Sequence, residues 1–516
     1  MNQEQQAEKN KLHVIVQAGG RGSRLRHHTW NKPKCLVSVL GKPLLYHLFA
    51  RFPLAQFHII GDYAFDVLKS YLEVNNPGVS YSLINTHTKG TASGIARALS
   101  DIPATAPLLL TWSDLIIGDL PNWPDANSPI VCTTSAFTCR WSIDNDGSLK
   151  EIPSDTSGIP GLFYFSRASL LPSPPEHGGE FVKWFAANVQ KFIPLPCPDM
   201  QELGDFQVIE DSNDRAGFSR FFNKVDILED RVVKTVVDPS FLDLHKREIN
   251  WYREAQRLGF RRIPRVWCDN PLTLDLIRGH HAYQMLDLTE REKRAVLSDH
   301  LDSLTYLHDS GSSPAAVEDI LEVYLSKTID RVNSVANLIP GFDQSSMTIN
   351  GKKCRNPFSY KYEGLLESLV QKLTCESFVP IHGDATFSNT IVDDKLRVWF
   401  IDPRGYFAKP GIMGDSWYDF AKVYYSAVGG YDIFNRRKFK LHIDEETVEV
   451  LMEQSNFNKA GNEIFADYFG NQLWRIEIIH ALIWLALSGY SKDDVDSVIG
   501  SFYLGLYWLE NGVTKI

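Results

Sequence analysis

The sequence has no excess of basic residues. Its 516 residues include 53 Lys and Arg against 63 Asp and Glu, which gives a formal net charge of −10. Proteins that bind nucleic acids generally neutralise backbone phosphates with a positively charged surface, so no nucleic-acid partner is expected. Single nucleotides remain candidate ligands, because they need only a few well-placed cations.

The sequence also lacks the features of a secreted or membrane protein. Its seven cysteines are far apart, without a CxxC motif or metal-site spacing, which indicates a reduced, intracellular chain. The polar residues 1–10 contain no apolar signal core. The apolar run at residues 478–487 is interrupted by His480. That run is far shorter than the roughly 20 residues of a membrane span. We therefore expect a soluble, cytoplasmic protein with no membrane span.

Short apolar segments alternate with amphipathic segments in the first third of the chain. This alternation predicts βαβ units and a parallel, doubly wound sheet. The predicted strands are residues 12–18, 58–61, 79–84 and 107–112, and the predicted helices are residues 43–52, 64–72 and 91–102. Because such sheets bind ligands beyond the carboxyl ends of their strands, residues that follow these strands are the first candidates for a site.

A polar stretch at residues 211–216 predicts a domain boundary. The predicted parts are a polar tail at residues 1–11, a first domain at 12–212 and a second domain at 213–516. Two short strands and a helix at residues 242–258 are predicted after the boundary. From residue 290 onward the pattern is mainly helical and is interrupted at residues 378–402.

A glycine-rich turn follows the first predicted strand. Gly19, Gly20 and Gly22 let backbone N–H groups approach a polyphosphate without interference from a Cβ atom. Arg24 adds a bidentate phosphate donor, and Lys34 adds a second, compact cation. A simple turn with solvated charges is the alternative, and the position directly after a first strand favours a phosphate site.

The segments GGRGSRL (residues 19–25) and NKPKCLV (residues 31–37) resemble those of the sugar nucleotidyltransferases, which include NDP-sugar pyrophosphorylases and cytidylyltransferases. The resemblance covers about residues 12–210 and implies a Rossmann-like fold. It also implies that the glycines and Arg24 hold a nucleoside triphosphate and that Lys34 contacts phosphate. By the same resemblance, Gly90 and Thr91 in the segment Lys89-Gly90-Thr91-Ala92 help to recognise the base.

Three acidic residues are candidates for the same site. The resemblance implies that Asp114, at the end of the strand 107–112, binds magnesium; a role as a turn or helix-capping residue is the alternative. Glu202 stands where the family usually has an aspartate and is the candidate second ligand. Glu180 is either a substrate-binding residue or a solvated loop carboxylate. Asp144 and Asp146 have the Asp-x-Asp spacing of a glycosyltransferase, but the sequence DNDG predicts a hairpin turn.

A second set of polar residues lies between apolar segments near residue 390. The segment His382-Gly383-Asp384 is followed by Asn389 and, after an apolar strand, by Asp402. An Asp and an Asn on one loop can present a base and a metal ligand, and a carboxylate after the next strand can complete a Mg²⁺ site.

This arrangement resembles the catalytic core of the aminoglycoside-phosphotransferase and choline-kinase family, which shares the protein-kinase fold. The resemblance covers about residues 215–516. It implies Asp384 as catalytic base, Asn389 and Asp402 as metal ligands, an N-lobe at about residues 213–288 and a helical C-lobe at about 289–516. An acidic cluster of Asp415 and Asp419 follows, and Asp419 is predicted to cap a helix.

Two residues of the predicted N-lobe support the kinase prediction. Glu248 falls within the apolar stripe of the helix 242–258, where a carboxylate needs a cationic partner unless it reaches water at the edge of the stripe. Lys234, on the preceding short strand, is the expected partner. In kinase folds such a pair orients the phosphates of ATP.

Together these features predict a bifunctional enzyme. Its kinase would phosphorylate a small hydroxyl compound, first of all a sugar, with ATP. Its nucleotidyltransferase would then join that phosphate to a nucleotide from CTP, UTP or GTP and release pyrophosphate. Mg²⁺ is expected in both sites, and the product would be an activated sugar for surface glycan or capsule synthesis. The alternatives are a choline-type kinase with a cytidylyltransferase, a glycosyltransferase fused to a kinase, and a regulatory role for one half. The oligomeric state is left open.

Overall fold

The computed structural model describes residues 11–86, 90–124, 126–216 and 223–515. The chain forms two compact units. The first unit extends to Arg215 and includes Asp493–Asp496, and the second comprises Ala216–Lys492 and the chain from Ser497 onward. In the described residues no helix is both long enough and apolar enough to cross a membrane.

A seven-stranded sheet forms the centre of the first unit. Its strands, in spatial order, are Ile193–Pro196, Ile130–Thr133, Phe163–Phe165, Leu108–Trp112, His13–Gln17, Gln56–Gly61 and Ser80–Asn85. The last four pair in parallel, as the alternating pattern predicts. All five residues of His13–Gln17 are buried, since both faces of a parallel sheet are covered. Phe163–Phe165 runs antiparallel to both its neighbours, an arrangement that the alternating pattern does not predict.

Helices and small sheets complete the first unit. Its helices are Leu44–Arg51, Phe65–Val74, Ala92–Ser100, Phe181–Asn188 and Phe206–Ala216. The first three confirm the predicted helices to within a few residues. The small sheets comprise Ser38–Val39 with Lys42–Pro43, Leu115–Ile117 with Met200–Glu202, and Trp141–Ile143 with Leu149–Lys150 and Gly158–Ile159.

A buried cluster of charges also belongs to the first unit. Lys32 is 2% exposed, and its Nζ donates hydrogen bonds to Asp494 Oδ1 at 2.6 Å and Asp496 Oδ2 at 2.8 Å. Although burial opposes the charge, the two carboxylates outweigh it and raise the pKa of Lys32. A buried ammonium group needs such partners. Because Lys32 is held in this way, the short segment that carries Lys34 is anchored two residues before that side chain.

The second unit begins with an antiparallel sheet and a helix. The strands, in spatial order, are Asn223–Ile227, Arg231–Val236, Leu272–Asp275 and Val266–Asp269. The helix Leu242–Arg257 buries His245, Glu248, Trp251, Tyr252 and Ala255. This buried set confirms the predicted apolar stripe, and Glu248, at 3% exposure, lies inside it rather than at an edge that reaches water.

The rest of the chain is mainly helical. Its helices are Glu290–His308, Val317–Leu321, Lys327–Asn333, Leu365–Gln371, Ser416–Ala427, Tyr431–Asn435, Asn458–Phe469, Leu473–Ser488 and Val495–Val513. Thr390–Val392 and Val398–Phe400 form a hairpin. The helices are interrupted at residues 378–402, as predicted, and also at positions that were not predicted. A sheet of Lys352–Arg355, Ser346–Ile349, Thr447–Met452 and Phe439–Ile443 also lies here. The short strands Ser313–Pro314, Ser377–Pro380 and Met413–Gly414 form a further sheet.

One buried carboxyl group of the second unit predicts a pH-dependent stability. Neither oxygen of Asp432 makes a hydrogen bond of good geometry with the described residues. Burial raises the pKa of Asp432 to about 7, and the nearby Ser426 hydroxyl and Arg436 guanidinium only partly oppose this. Folding therefore favours the protonated form of Asp432. As the pH rises from about 4 to about 7, the carboxyl group would ionise more readily in the unfolded chain, and the free energy of unfolding falls.

Replacing Asp432 with asparagine should accordingly stabilise the protein more at high pH than at low pH. We expect the urea midpoint of Asp432→Asn to exceed that of the wild type at pH 8, by a free energy on the order of 1–3 kcal/mol. The gain should shrink or reverse at pH 5, where the wild-type carboxyl is neutral. Asp394→Asn, at an exposed aspartate, provides the control. A gain that does not change with pH would contradict the assigned pKa.

Candidate active sites

The glycine turn of the first unit is built by close packing of its backbone. A Cβ atom on Gly19 would lie 3.0 Å from the backbone nitrogen of Asp62, which follows the neighbouring strand. Gly22 has a φ of +64°, and a Cβ there would lie 3.0 Å from Cβ of Lys34. Side chains at these positions would clash or be strained. The glycines therefore allow the turn to pack against the segment that carries Lys34.

A cavity of about 450 Å³ lies against this turn. The predicted site residues that line it are Gly19, Gly20, Gly22, Arg24, Lys34, Gly90, Thr91 and Asp114. Gln17, at the end of the central strand, donates from Nε2 to the backbone oxygen of Thr91 at 2.8 Å and so fixes that segment. Lys89, which precedes Gly90 and Thr91 in the predicted base-recognition segment, lies outside the described residues. The cavity is at the carboxyl ends of the parallel strands, as expected for this type of sheet.

Two acidic and two basic side chains meet beside the cavity. Lys34 Nζ forms an ion pair with Asp114, and the Arg24 guanidinium lies 3.7 Å from Glu202 Oε1. The carboxylates are brought together by the backbone, because Leu203 N–H donates to the Asp114 carbonyl at 2.9 Å. Burial, and next the charge of Asp114, raise the pKa of Glu202, while Lys34 and Arg24 act in the opposite direction.

This donor set fits a divalent magnesium ion. Asp114 lies in the turn before the strand Leu115–Ile117, and Glu202 ends the strand Met200–Glu202 that pairs with it. Carboxylates are the hard oxygen ligands that Mg²⁺ prefers, and the mutual repulsion of these two would be relieved by a cation between them. Burial is the first cause of the raised pKa of Glu202, and the charge of Asp114 adds to it. Asp114 and Glu202 are thus the residues that would hold the ion.

Glu180 and the predicted Asp-x-Asp lie away from this cluster. The Glu180 carboxylate is 3.4 Å from an Arg140 nitrogen and does not line the cavity. Its backbone neighbours do support the cavity wall, because Gly179 O accepts from Ala92 N–H at 3.0 Å. Asp144 and Asp146 belong to the turn between Trp141–Ile143 and Leu149–Lys150, which confirms the predicted hairpin.

Several lining residues are not among the predicted site residues. They are Gln17, Ser23, Ile60, Asp62, Thr86, Trp112, Ser113 and Gly204. Asp62 and Thr86 follow the strands Gln56–Gly61 and Ser80–Asn85. The general rule that strand ends form the site would have placed both nearby, although neither belongs to a recognisable motif.

The second site is formed around the loop that carries Asp384. Asn389 Nδ2 donates to Asp384 Oδ2 at 2.8 Å, and Lys422 Nζ lies 3.0 Å from Asp384 Oδ1. The backbone N–H of Ile401 donates to Asn389 O at 2.9 Å, so Asp402 directly follows a residue bonded to Asn389. The structure thus brings the three predicted residues of this loop and hairpin together.

Lys234 joins this site to the first sheet of the second unit. Its Nζ donates to Glu248 Oε1 at 2.7 Å and forms an ion pair with Asp402. Burial opposes the positive charge, but the two carboxylates raise the pKa of Lys234. The predicted pairing of Lys234 with Glu248 is present. Its contact with Asp402 links all the predicted residues of this site.

The second site also contains donors suited to magnesium. The amide of Asn389 donates to Asp384 through Nδ2, and no described group donates a hydrogen bond to its Oδ1. The Asp402 carboxylate follows on the adjoining segment. An amide oxygen with no hydrogen bond and a carboxylate are both ligands that Mg²⁺ accepts, so Asn389 and Asp402 are the residues that would hold the ion.

Asp419 has a different role from the predicted one. The helix Ser416–Ala427 is capped by Asp415, whose side chain accepts from Trp417 N–H. Asp419 is 0% exposed and accepts hydrogen bonds from the backbone N–H groups of His382 and Gly383, both at 2.7 Å. It therefore holds the loop that presents Asp384. The prediction that Asp419 caps the helix is wrong, because the capping residue is Asp415, about one helical turn earlier.

Comparison with known proteins concerns the N-terminal part. Residues 14–119 match the family model of the MobA-like NTP transferase domain. No curated protein matches the chain. Residues 14–119 are thus similar to a nucleotidyltransferase domain, and the kinase-like character of the second unit stays a prediction from its residues.

Three solved structures that are similar to part of this chain share 14–18% sequence identity with it. HddC from Yersinia pseudotuberculosis is 18% identical, with 39% of this chain and 98% of that chain covered and a TM-score of 0.33. CTP:phosphocholine cytidylyltransferase (LicC) from Streptococcus pneumoniae is 15% identical, with 38% and 95% covered and a TM-score of 0.31. The inositol-1-phosphate CTP transferase from T. maritima is 14% identical, with 37% and 89% covered and a TM-score of 0.31.

Proposed function

We propose that the first unit transfers a nucleotidyl group from a nucleoside triphosphate to the phosphate of a sugar or a phosphoalcohol. The proposal rests on one observation: two ion pairs lie beside the cavity that the glycine turn lines. They are formed by Arg24 with Glu202 and by Lys34 with Asp114. The match of residues 14–119 to a nucleotidyltransferase family supports it.

The reaction joins two negatively charged groups. A phosphate oxygen of the acceptor attacks the α-phosphorus and forms a new P–O bond. The bond from that phosphorus to the α,β-bridging oxygen breaks, and pyrophosphate leaves with the electron pair. Arg24 and Lys34 offset the charge and hold the groups in line, while backbone N–H groups of the glycine turn bind the triphosphate. Magnesium bound by Asp114 and Glu202 would supply further neutralisation of charge.

We further propose that the second unit is a small-molecule kinase. Asp384 accepts the proton of the substrate hydroxyl, whose oxygen attacks the γ-phosphorus of ATP. The bond from that phosphorus to the β,γ-bridging oxygen breaks, and ADP leaves. Lys234, oriented by Glu248, contacts the phosphates, and Asn389 and Asp402 are the magnesium ligands. The two reactions are sequential, because the kinase makes the phosphate that the nucleotidyltransferase consumes. The product would be an activated sugar for surface glycan or capsule synthesis.

A matrix of substrates tests both proposals with the full chain. ATP, CTP, UTP, GTP and dTTP are each supplied with Mg²⁺ and a panel of free and phosphorylated sugars and alcohols, and products are identified by mass spectrometry. We expect pyrophosphate and an NDP-linked product from one pairing of nucleotide and phosphorylated acceptor, and ADP from ATP with an unphosphorylated one. Absence of pyrophosphate from every pairing would contradict the first proposal and favour the glycosyltransferase alternative. Absence of ADP would contradict the second.

A further inference from the structure

Four basic side chains of the second unit lie within electrostatic range of one another near the catalytic loop. Lys422, on the helix Ser416–Ala427, lies 3.0 Å from Asp384. Arg404 follows Asp402 closely, and its backbone N–H donates to His382 O at 3.0 Å. Lys327 and Arg331 lie one helical turn apart on Lys327–Asn333, so they share a face of that helix. All four side chains are half-buried, which leaves them in reach of a ligand.

The strongest electrostatic neighbours of Lys327 are three cations and one carboxylate. The pKa of Lys327 is lowered to about 6, first by burial and then by the charges of Arg404, Arg331 and Lys422. Asp384 is the carboxylate that acts against this shift. Its own charge is shared with Lys422 and with the amide of Asn389. The region next to the catalytic base therefore has an uncompensated positive charge.

The protein contacts of Arg404 and Arg331 orient these two side chains without neutralising them. The Arg404 guanidinium lies 4.1 Å from the centre of the Tyr406 ring and donates to the Tyr418 hydroxyl at 2.9 Å. Arg331 donates to the Ala486 carbonyl at 3.5 Å and lies over Tyr490. In the part of the chain that the structure describes, Lys327 Nζ makes no hydrogen bond or ion pair. Bringing cations together at partial burial is unfavourable unless an anion binds between them.

We infer that the molecule phosphorylated in this site carries a negative charge of its own, as a carboxylate or a phosphate group, which Lys327, Arg331 and Arg404 bind while its hydroxyl faces Asp384. This inference rests on the proposed kinase function of the second unit. An arginine fork binds either oxyanion in a bidentate manner, and an ammonium adds a point charge. The substrate class is thus a hydroxy acid, such as a sugar acid, or a sugar phosphate. A cationic acceptor such as choline or an amino sugar would be repelled.

The first test compares acceptors of different charge with the full chain. ADP formation from ATP is measured with glucuronate, glucose 6-phosphate, glucose, glucosamine and choline. We expect kcat/KM to be highest for one of the two anions. A higher value for glucuronate would indicate recognition of a carboxylate, and a higher value for glucose 6-phosphate would indicate recognition of a phosphate. If choline, glucosamine or glucose is preferred, the inference is wrong although the kinase proposal stands.

The second test removes the charge of Lys327. For Lys327→Met we expect the KM for the anionic acceptor to rise about 10- to 100-fold, as for the loss of a charge-assisted hydrogen bond. The KM for ATP should not change, and Lys327→Arg should restore most of the acceptor affinity. Lys372→Met, at an exposed lysine on another part of the unit, is the matched control. Circular dichroism of each variant checks that it folds. An unchanged KM in a folded Lys327→Met would overturn the inference.

A binding measurement separates failure of this inference from failure of the kinase proposal. If no acceptor yields ADP, binding to the wild-type chain is measured by calorimetric titration. The ligands are glucuronate, glucose 6-phosphate, inorganic phosphate and choline. Binding of the anions that weakens in Lys327→Met supports the anion site, although the kinase proposal then fails. Equal or tighter binding of choline overturns the anion site, and so does the absence of anion binding.

Discussion

Replacing Asp384 with asparagine is expected to lower acceptor phosphorylation by about 10²- to 10⁴-fold, the contribution usual for a general base. Asparagine has nearly the same shape but does not accept a proton at neutral pH. The loop should keep its place, because it is held through backbone N–H groups that donate to Asp419. The loss should therefore appear in kcat, with little change in the KM for ATP. The measurement is ADP formation at saturating ATP with the acceptor identified by the substrate matrix.

The same variant should leave pyrophosphate release at the wild-type rate when a phosphorylated acceptor is supplied. Asp394→Asn is the matched control, since Asp394 is exposed in the turn of the neighbouring hairpin. We expect this control to keep both activities. If Asp384→Asn phosphorylates the acceptor as fast as the wild type, Asp384 is not the base. If it also stops pyrophosphate release, the assignment of one reaction to each unit is wrong.

The fold of the first region was largely predictable because its signals are local. The strand His13–Gln17 and the glycine turn follow one another in the chain, so a run of apolar residues and three glycines identify both. Asp62 belongs to the same cavity through a neighbouring strand, and nothing in its own surroundings marks it. The contact becomes visible only when Gly19 is seen to pack against Asp62.

The second unit shows where a local pattern is insufficient. Thr447–Met452 alternates buried and exposed residues, which is a strand pattern, yet it lies among helices and was not recognised. Aspartate is a common residue at the start of a helix, which is why Asp419 was predicted to be a cap. Its actual partners, His382 and Gly383, lie far away in sequence. Lys327 and Arg331 likewise carry no motif. Their significance depends on which loop the fold places beside them.

Replacing Asp114 with asparagine should lower pyrophosphate release by about 10²- to 10³-fold, a loss typical of removing one electrostatic contact to a reacting group. Two effects combine here. The variant removes one of two carboxylates that would hold magnesium, and it removes the ion-pair partner that positions Lys34. The Mg²⁺ concentration required for half-maximal activity should therefore rise. Acceptor phosphorylation by ATP should stay unchanged.

The pKa of Glu202 provides an independent readout of the same variant. Burial is the first cause that raises this pKa and Asp114 is the second, so removing the charge of Asp114 should lower it. The acid limb of the pH profile for pyrophosphate release should then move to lower pH. Asp119→Asn, at an exposed aspartate five residues further along, should change neither the rate nor the profile. A lower rate with an unchanged Mg²⁺ requirement and an unmoved acid limb would mean that Asp114 acts only through Lys34. Full activity of Asp114→Asn would show that Asp114 has no role in this site.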